Sequence, residues 1–265
     1  MNKTAGFAMG QRRNFVMFHM GRCGSTVLEG LLRETGQVAH GSELFEQFYP
    51  RRKKERPNLT PGKFLRRRQK KAAARGKIYG FEVKYLSGTH LERIGQTRAQ
   101  APDFFARLGF GRFILLTRAN LLDRIISQVV VRHRGSYTRE AGDTRDTGKV
   151  HVPIRQMQLG ANQLSLIEAL TLLDRETGEM RAVLKDKVPD FLELTYESDV
   201  LGDPNRGARR IADYIGIDYH DRHPEQDKIV TRPKGQLVEN YDELEAALAD
   251  TRFAWMLRDE DGKQE

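Results

Sequence analysis

Residues 15–36 constrain the fold more than any other stretch of this chain. Phe15-Val-Met-Phe-His-Met20 is a short apolar run, the pattern of a buried strand, and it ends at Gly21. Gly21-Arg-Cys-Gly-Ser-Thr26 follows as a tight polar turn. Val27, Leu28, Leu31 and Leu32 then recur at helical spacing up to Thr35, and Gly36 supplies a stop. A strand, a glycine-containing turn and a helix aim successive backbone N–H groups and the positive end of the helix dipole at one point, which is an anion site by construction. Gly21 and Gly24 permit close backbone approach, Ser25 and Thr26 add hydroxyl donors, and Arg22 adds a permanent cation. The same spacing also suits an ordinary strand-to-helix turn with Ser or Thr as cap. It is not a Walker A loop, because that motif needs Lys directly before the hydroxyl residue and Gly24 stands there.

The strand–helix alternation continues. Val38-Ala39-His40, Ile78 to Leu86, Arg112 to Thr117 and Phe191 to Tyr196 read as further strands. Helical patterns run from Pro61 to Ala74, from Pro102, from Leu121 to His133, in two pieces from Pro153 to about Lys185, and from Asp203 to Ile215. Asn240 to Leu248 and Thr251 to Leu257 read as C-terminal helices. Such alternation predicts an α/β fold with a central parallel sheet covered by helices on both faces. No internal repeat or domain boundary interrupts it, so a single domain over 1–265 is expected. Gly135 to Val152, rich in Gly, Asp, Thr and Arg, predicts a long mobile loop.

Composition narrows the setting. No run approaches the roughly 18–20 apolar residues of a membrane span. Met1 to Arg13 lacks an apolar core followed by a small-residue cleavage site, so no signal peptide is expected. Cys23 is the only cysteine, which rules out an intrachain disulfide framework and fits a reducing compartment. A cytoplasmic protein is the expectation, with a peripheral position at the inner membrane surface as its variant. The net charge of +9 is unevenly placed: Arg51 to Lys77 carries 13 Lys and Arg against the single acid Glu55, and the remainder is slightly acidic. That basic insertion at 51–77 offers itself to an anionic partner (a glycan, a lipid headgroup or a nucleic acid), or is simply a solvated helix. Phe64 is its only aromatic residue, which argues against base stacking.

A second cationic strand end lies about 100 residues after the first. Phe113-Ile-Leu-Leu-Thr-Arg118 ends in a cation, and Asn120 with Asp123 resembles a helix cap with an acid three residues on. Leu121, Leu122, Ile125, Ile126, Val129 and Val130 form one apolar stripe on the following helix, with Ser127 roughly opposite it. Arg118 and Ser127 are thereby placed to face a ligand at the carboxyl end of the sheet, where open α/β sheets bind theirs.

Phe15 to Leu32, centred on Gly-Arg-Cys-Gly-Ser-Thr, resembles the 5′-phosphosulfate loop of sulfotransferases that use PAPS (3′-phosphoadenosine 5′-phosphosulfate). The likeness is to the bacterial carbohydrate branch, which includes the trehalose and nodulation-factor enzymes. The resemblance implies a P-loop-type three-layer fold, with Arg22, Cys23, Gly24, Ser25, Thr26 and Val27 wrapping the phosphosulfate. Cys23 departs from the Ser most relatives carry. Leu-Thr-Arg-Ala-Asn-Leu-Leu-Asp-Arg-Ile-Ile-Ser resembles the 3′-phosphate segment, which assigns that phosphate to Arg118 and Ser127. Leu194-Thr-Tyr-Glu197 with Asp203-Pro204 is similar to the strand and helix near the adenine, which places Tyr196 at the nucleotide. Thr231-Arg-Pro-Lys-Gly235 is similar to a basic C-terminal loop, so Arg232 and Lys234 are expected at the 3′-phosphate, unless they are surface charges. PAPS and its product PAP are the implied co-substrate pair, with no metal.

Sulfuryl transfer to an alcohol needs a base on the hydroxyl and cations on the leaving phosphate. Arg22 suits the electrostatic part. Glu43, in His40-Gly-Ser-Glu-Leu-Phe45, is the expected base; it resembles the Glu near which the trehalose-type enzymes bind their acceptor, and is otherwise a helix-start Glu favoured by the dipole. His40 is the next candidate and His90 a third. Lys84 stands where the family often has a Lys lining the acceptor site, or is a surface-facing strand residue. A hydroxyl of a carbohydrate or glycolipid is the expected acceptor. Two rivals remain open: a P-loop kinase, disfavoured by the missing Gly-Lys-[Ser/Thr], and a non-enzymatic polyanion or membrane-surface binder acting through 51–77.

Overall fold

Continuous apolar runs joined by helices require a sheet buried on both faces, and this is what the chain builds. The computed structural model describes residues 13–48, 59–135, 148–159, 162–225 and 232–259. Strand β1 (Phe15–His19) leads into α1 (Ser25–Glu34) and β2 (Val38–His40). A short 3₁₀ turn (Leu44–Phe48), α2 (Pro61–Ala73) and β3 (Ile78–Lys84) follow. Next come α3 (His90–Arg93), α4 (Ala101–Arg107), β4 (Arg112–Thr117) and α5 (Leu121–Arg134). A small antiparallel pair, β5 (Met157–Leu159) with β6 (Asn162–Leu164), precedes the long α6 (Leu166–Lys187). The chain closes with β7 (Leu192–Thr195), α7 (Tyr196–Asp199), α8 (Asn205–Ile215), α9 (Lys234–Leu237) and α10 (Tyr241–Leu248).

Five strands form one parallel sheet in the order β2-β3-β1-β4-β7. The chain leaves β1 towards β2 on one side and leaves β4 towards β7 on the other. The carboxyl ends of β1 and β4 therefore flank the crevice where strand order reverses, the place at which open α/β sheets take ligands. Phe15 sits opposite Gly80 in register, and a Cβ on Gly80 would fall 2.1 Å from the Phe15 ring, so the central pairing depends on glycine there.

The two faces of the sheet differ in character. On one, Phe18 and Phe81 meet Phe105 of α4 at ring-centroid distances of 6.0 and 5.4 Å, and Phe110 joins them. The other carries Phe15, Met17 and His19 of β1 and Gly80, Glu82 and Lys84 of β3, so its carboxyl half is polar, with His19 and Glu82 buried and Lys84 partly exposed. Helix α2, within the basic segment, is the crossover between β2 and β3; it buries Leu65 and Ala72 and turns its cations outward. Residues 51–58 lie outside the described residues.

Three expectations are corrected. The first helical piece from Pro153 is the β5–β6 pair instead: Met157 is buried, Gln158 exposed and Leu159 half-buried, the alternation of a strand. Helix α6 starts later because Ser165 and Glu168 form a reciprocal capping box. The expected 135–152 loop ends earlier, since Val150 accepts from Glu239 N–H and donates to Leu237 O at 2.9 Å each, with Val150 and Val152 buried; 136–147 lie outside the described residues. The expected helix 251–257 shortens to a 3₁₀ turn, Ala254–Leu257.

Candidate functional site

The turn after β1 takes a backbone that only close support can hold. Gly21, Arg22 and Gly24 all have positive φ (78°, 61° and 82°), and for Arg22 that conformation is strained. Two contacts hold Arg22: its carbonyl accepts from Arg118 Nη1 at 3.2 Å, and its Nε donates to Ser127 Oγ at 3.2 Å. The second contact spans 105 residues of sequence. Ser127, expected on the polar side of α5, is buried and turned towards this turn. At Gly24 a Cβ would lie 2.7 Å from Val200 Cγ1 and 3.2 Å from the Tyr196 ring. The place of a Walker lysine is thus closed by packing as well as by sequence.

The remaining loop residues sort by direction. Cys23 packs inward, its thiol donating to Gly21 O, and burial pushes its pKa up to about 11. This position therefore offers a ligand its backbone and not its side chain. Ser25, the first residue of α1, is buried; Thr26 is exposed and Val27 half-buried against the core. Arg22 and Thr26 thus stand with the turn's backbone at the start of a ten-residue helix, the positive end of its dipole.

The second strand end lies against the first. Arg118, buried after β4, stacks its guanidinium 4.3 Å from the centre of the Tyr196 ring. Glu197 fixes the turn behind it by accepting from the N–H groups of Ala119 and Asn120 at 2.9 Å each. Asn120 caps α5 by accepting from Asp123 N–H. Arg124 donates from Nη2 to Met20 O at 3.1 Å, tying α5 to the end of β1; burial lowers its pKa to about 10. Lys234 reaches the same region from α9 but is engaged there: its Nζ lies 3.1 Å from Asp123 Oδ1 and donates to Arg258 O. Asp123 also faces Arg118 at 4.0 Å, so Lys234 neutralises the acid beside Arg118. Arg232 donates to Gly148 O at 2.5 Å.

Glu43 and Lys84, singled out separately in the sequence, form an ion pair at 2.5 Å, both partly exposed. Glu46, missed by the sequence reading, lies 3.7 Å from the same ammonium. His90 is buried beneath them: its Nδ1 accepts from Lys84 N–H at 3.0 Å, so Nε2 carries the proton towards Glu46 Oε1 at 3.1 Å. That hydrogen bond, with help from Lys84, lowers the Glu46 pKa. His40 is placed elsewhere. Its side chain is buried under α1, with Nδ1 at 3.1 Å from Ser42 N–H and 3.4 Å from Glu29 Oε1.

Between the two groups lies a buried pair that the sequence reading passed over, His19 and Glu82, with Nε2 and Oε2 3.3 Å apart. Their signal was present as a polar residue inside each of two otherwise apolar central strands. Atoms of His19, Glu43 and Glu82 all fall within 4.8 Å of one another. This donor set is organised by protons and by the Lys84 ammonium. His19 Nδ1 accepts from Gly21 N–H, leaving its proton on Nε2, and Lys84 Nζ fills the space between Glu43 and Glu46.

On α2, Lys63, Arg66, Arg67, Lys70 and Lys71 form an exposed stripe with no ion pair among the described residues. No described helix is long and apolar enough to cross a membrane. No model of a known protein family matches this chain, and no curated protein does.

Proposed function

We propose that this chain is a PAPS-dependent sulfotransferase that moves a sulfuryl group to a hydroxyl of a carbohydrate or glycolipid. The observation that carries this reading is the meeting of the two anion motifs. Arg22 touches Ser127 at 3.2 Å and Arg118 holds the Arg22 carbonyl at 3.2 Å, so the two cationic strand ends meet beside an aromatic ring, Tyr196. A nucleotide with phosphate at both its 5′ and 3′ positions matches two such anchors better than ATP does, whose phosphates form one chain. A strand-to-helix anion loop on the central strand also supports the P-loop-type, three-layer description of the fold.

The chemistry assigned to the residues is an in-line displacement. Glu43 accepts the acceptor's hydroxyl proton as the new O–S bond forms. The S–O bond to the 5′-phosphate breaks, and PAP leaves with the electron pair on its phosphate oxygen. Arg22 and the loop amides stabilise that growing charge. Lys84, 2.5 Å from Glu43, holds that carboxyl in place at the edge of the site. On this reading Lys234 acts indirectly, through Asp123, by freeing the Arg118 charge for the ligand. The α2 stripe supports an anionic partner, a membrane surface carrying the acceptor included.

Thermal unfolding with PAP, ADP and AMP tests the donor half. PAP at 100 times its Kd stabilises by about 2.7 kcal/mol, which raises Tm by several degrees. ADP and AMP are expected to do much less. A Tm unmoved by PAP sinks the proposal.

A further inference from the structure

Arg124 carries a buried guanidinium, with the residue 6% exposed, that the proposed reaction does not use. Among the described residues it makes one hydrogen bond, from Nη2 to Met20 O at 3.1 Å, and no ion pair; its Nε has no acceptor. Other cations of this edge are supplied with acids: Lys84 faces Glu43 and Glu46, while Arg118 and Lys234 face Asp123. Taking a charge out of water with no counter-charge is costly. Such a group persists where a ligand brings the missing charge.

The position of Arg124 says which ligand. Met20 O is the last carbonyl before the loop, and a Cβ at Gly21 would lie 4.0 Å from Arg124 Nη2. Three residues further along α5, Ser127 Oγ accepts from Arg22 Nε at 3.2 Å. Residues three apart share a helix face, so α5 turns Arg124 and Ser127 together towards the loop. The start of α1 favours an anion at the same place.

We infer that Arg124 is an anion-binding residue of this loop, and that the bound oxyanion is the counter-charge its guanidinium lacks. The inference rests on the reading of the loop as an anion site; within the sulfotransferase proposal the oxyanion is the 5′-phosphosulfate.

The electrostatic surroundings agree. The groups acting most strongly on Arg124 are Cys23, Arg22, Tyr85 and Arg132, with no carboxylate among them. The two arginines repel it. Burial raises the pKa of the Cys23 thiol and of the Tyr85 phenol, so both stay uncharged. Burial also lowers the pKa of Arg124 itself to about 10, which leaves it a cation at neutral pH, held at a cost that an anion relieves.

An arginine that only ties α5 to β1 and one that binds an anion respond differently to removal. Arg124→Met keeps an apolar stem and removes the charge. Inorganic sulfate, titrated at constant ionic strength, is the first probe and PAP the second. Both are expected to bind the variant about 10- to 100-fold more weakly, the range for one lost charged hydrogen bond. The anion-free Tm is expected to stay close to the wild type's, because the unpaired buried charge is gone as well. Unchanged sulfate and PAP affinities overturn the inference and leave the sulfotransferase reading standing. Arg132→Met removes an equal charge from an exposed position two turns further along α5, and is expected to change sulfate affinity by less than about twofold. Equal losses in the two variants also overturn the inference, since they report only net charge. Sulfate affinity that depends on Arg124, with PAP bound no better than ADP, supports the inference and sinks the sulfotransferase reading. A wild type that binds neither sulfate nor PAP overturns both. If Arg124→Met does not fold, the wild-type Arg124 Nε–H resonance decides, identified by its absence from Arg124→Lys. It must move during the sulfate titration with the Kd of binding, and a resonance that stays fixed overturns the inference.

Discussion

The loop after β1 and the cluster around Lys84 share the carboxyl edge of the sheet, yet they are built in opposite ways. The loop is mostly backbone: three positive-φ residues, a helix start, and Arg22 held at both its carbonyl and its guanidinium. The cluster is mostly side chain, with Glu43, Glu46 and Lys84 held by charge and His90 by hydrogen bonds. A backbone site is rigid and suits an invariant group such as a phosphate. A side-chain cluster with partly exposed members can exchange protons, and suits the half of the proposed reaction in which a hydroxyl must lose one.

Breaking each half separately separates their roles. The largest effect is expected from Glu43→Gln, which keeps the shape and removes the base: turnover falls about 10²- to 10⁴-fold, while PAP affinity by titration calorimetry stays within about twofold. A parallel loss of PAP affinity would merge the two regions into one. Next is Arg118→Ala, which removes a charged contact worth about 2–3 kcal/mol, so PAP binds roughly 30- to 160-fold more weakly. AMP affinity is expected to change far less; equal losses would take Arg118 away from the 3′-phosphate. The smallest is Ser127→Ala, at about 1 kcal/mol or roughly fivefold in PAP affinity, from the lost contact with Arg22. An effect on turnover alone would place Ser127 on the acceptor side.

The order of strands and helices was legible because burial on both faces leaves continuous apolar runs, as in Phe113-Ile-Leu-Leu, and because glycines mark the turns. The β5–β6 pair escaped because three-residue strands carry too few apolar positions to separate a period of 2 from one of 3.6. The candidates Arg22, Arg118 and Ser127 were picked out by motif position, and the structure brings them into contact. The burial of His40 against Glu29 of α1 was not legible, because strand periodicity says which face a residue takes, and not whether a helix covers it.

Sequence by itself determined the parallel α/β class, the strand–turn–helix loop and the existence of two cationic strand ends, since these follow from local spacing and glycine chemistry. Only the tertiary structure decided that Arg22 meets Ser127, that Lys234 is tied to Asp123, and that His19 and Glu82 form one buried pair. Those contacts join residues from about 60 to more than 100 positions apart, and no local period encodes which strand will lie beside which. The loop that constrained the fold from the outset thus owes its shape to the sequence of six residues, and its support to side chains that only the assembled sheet brings beneath and beside it.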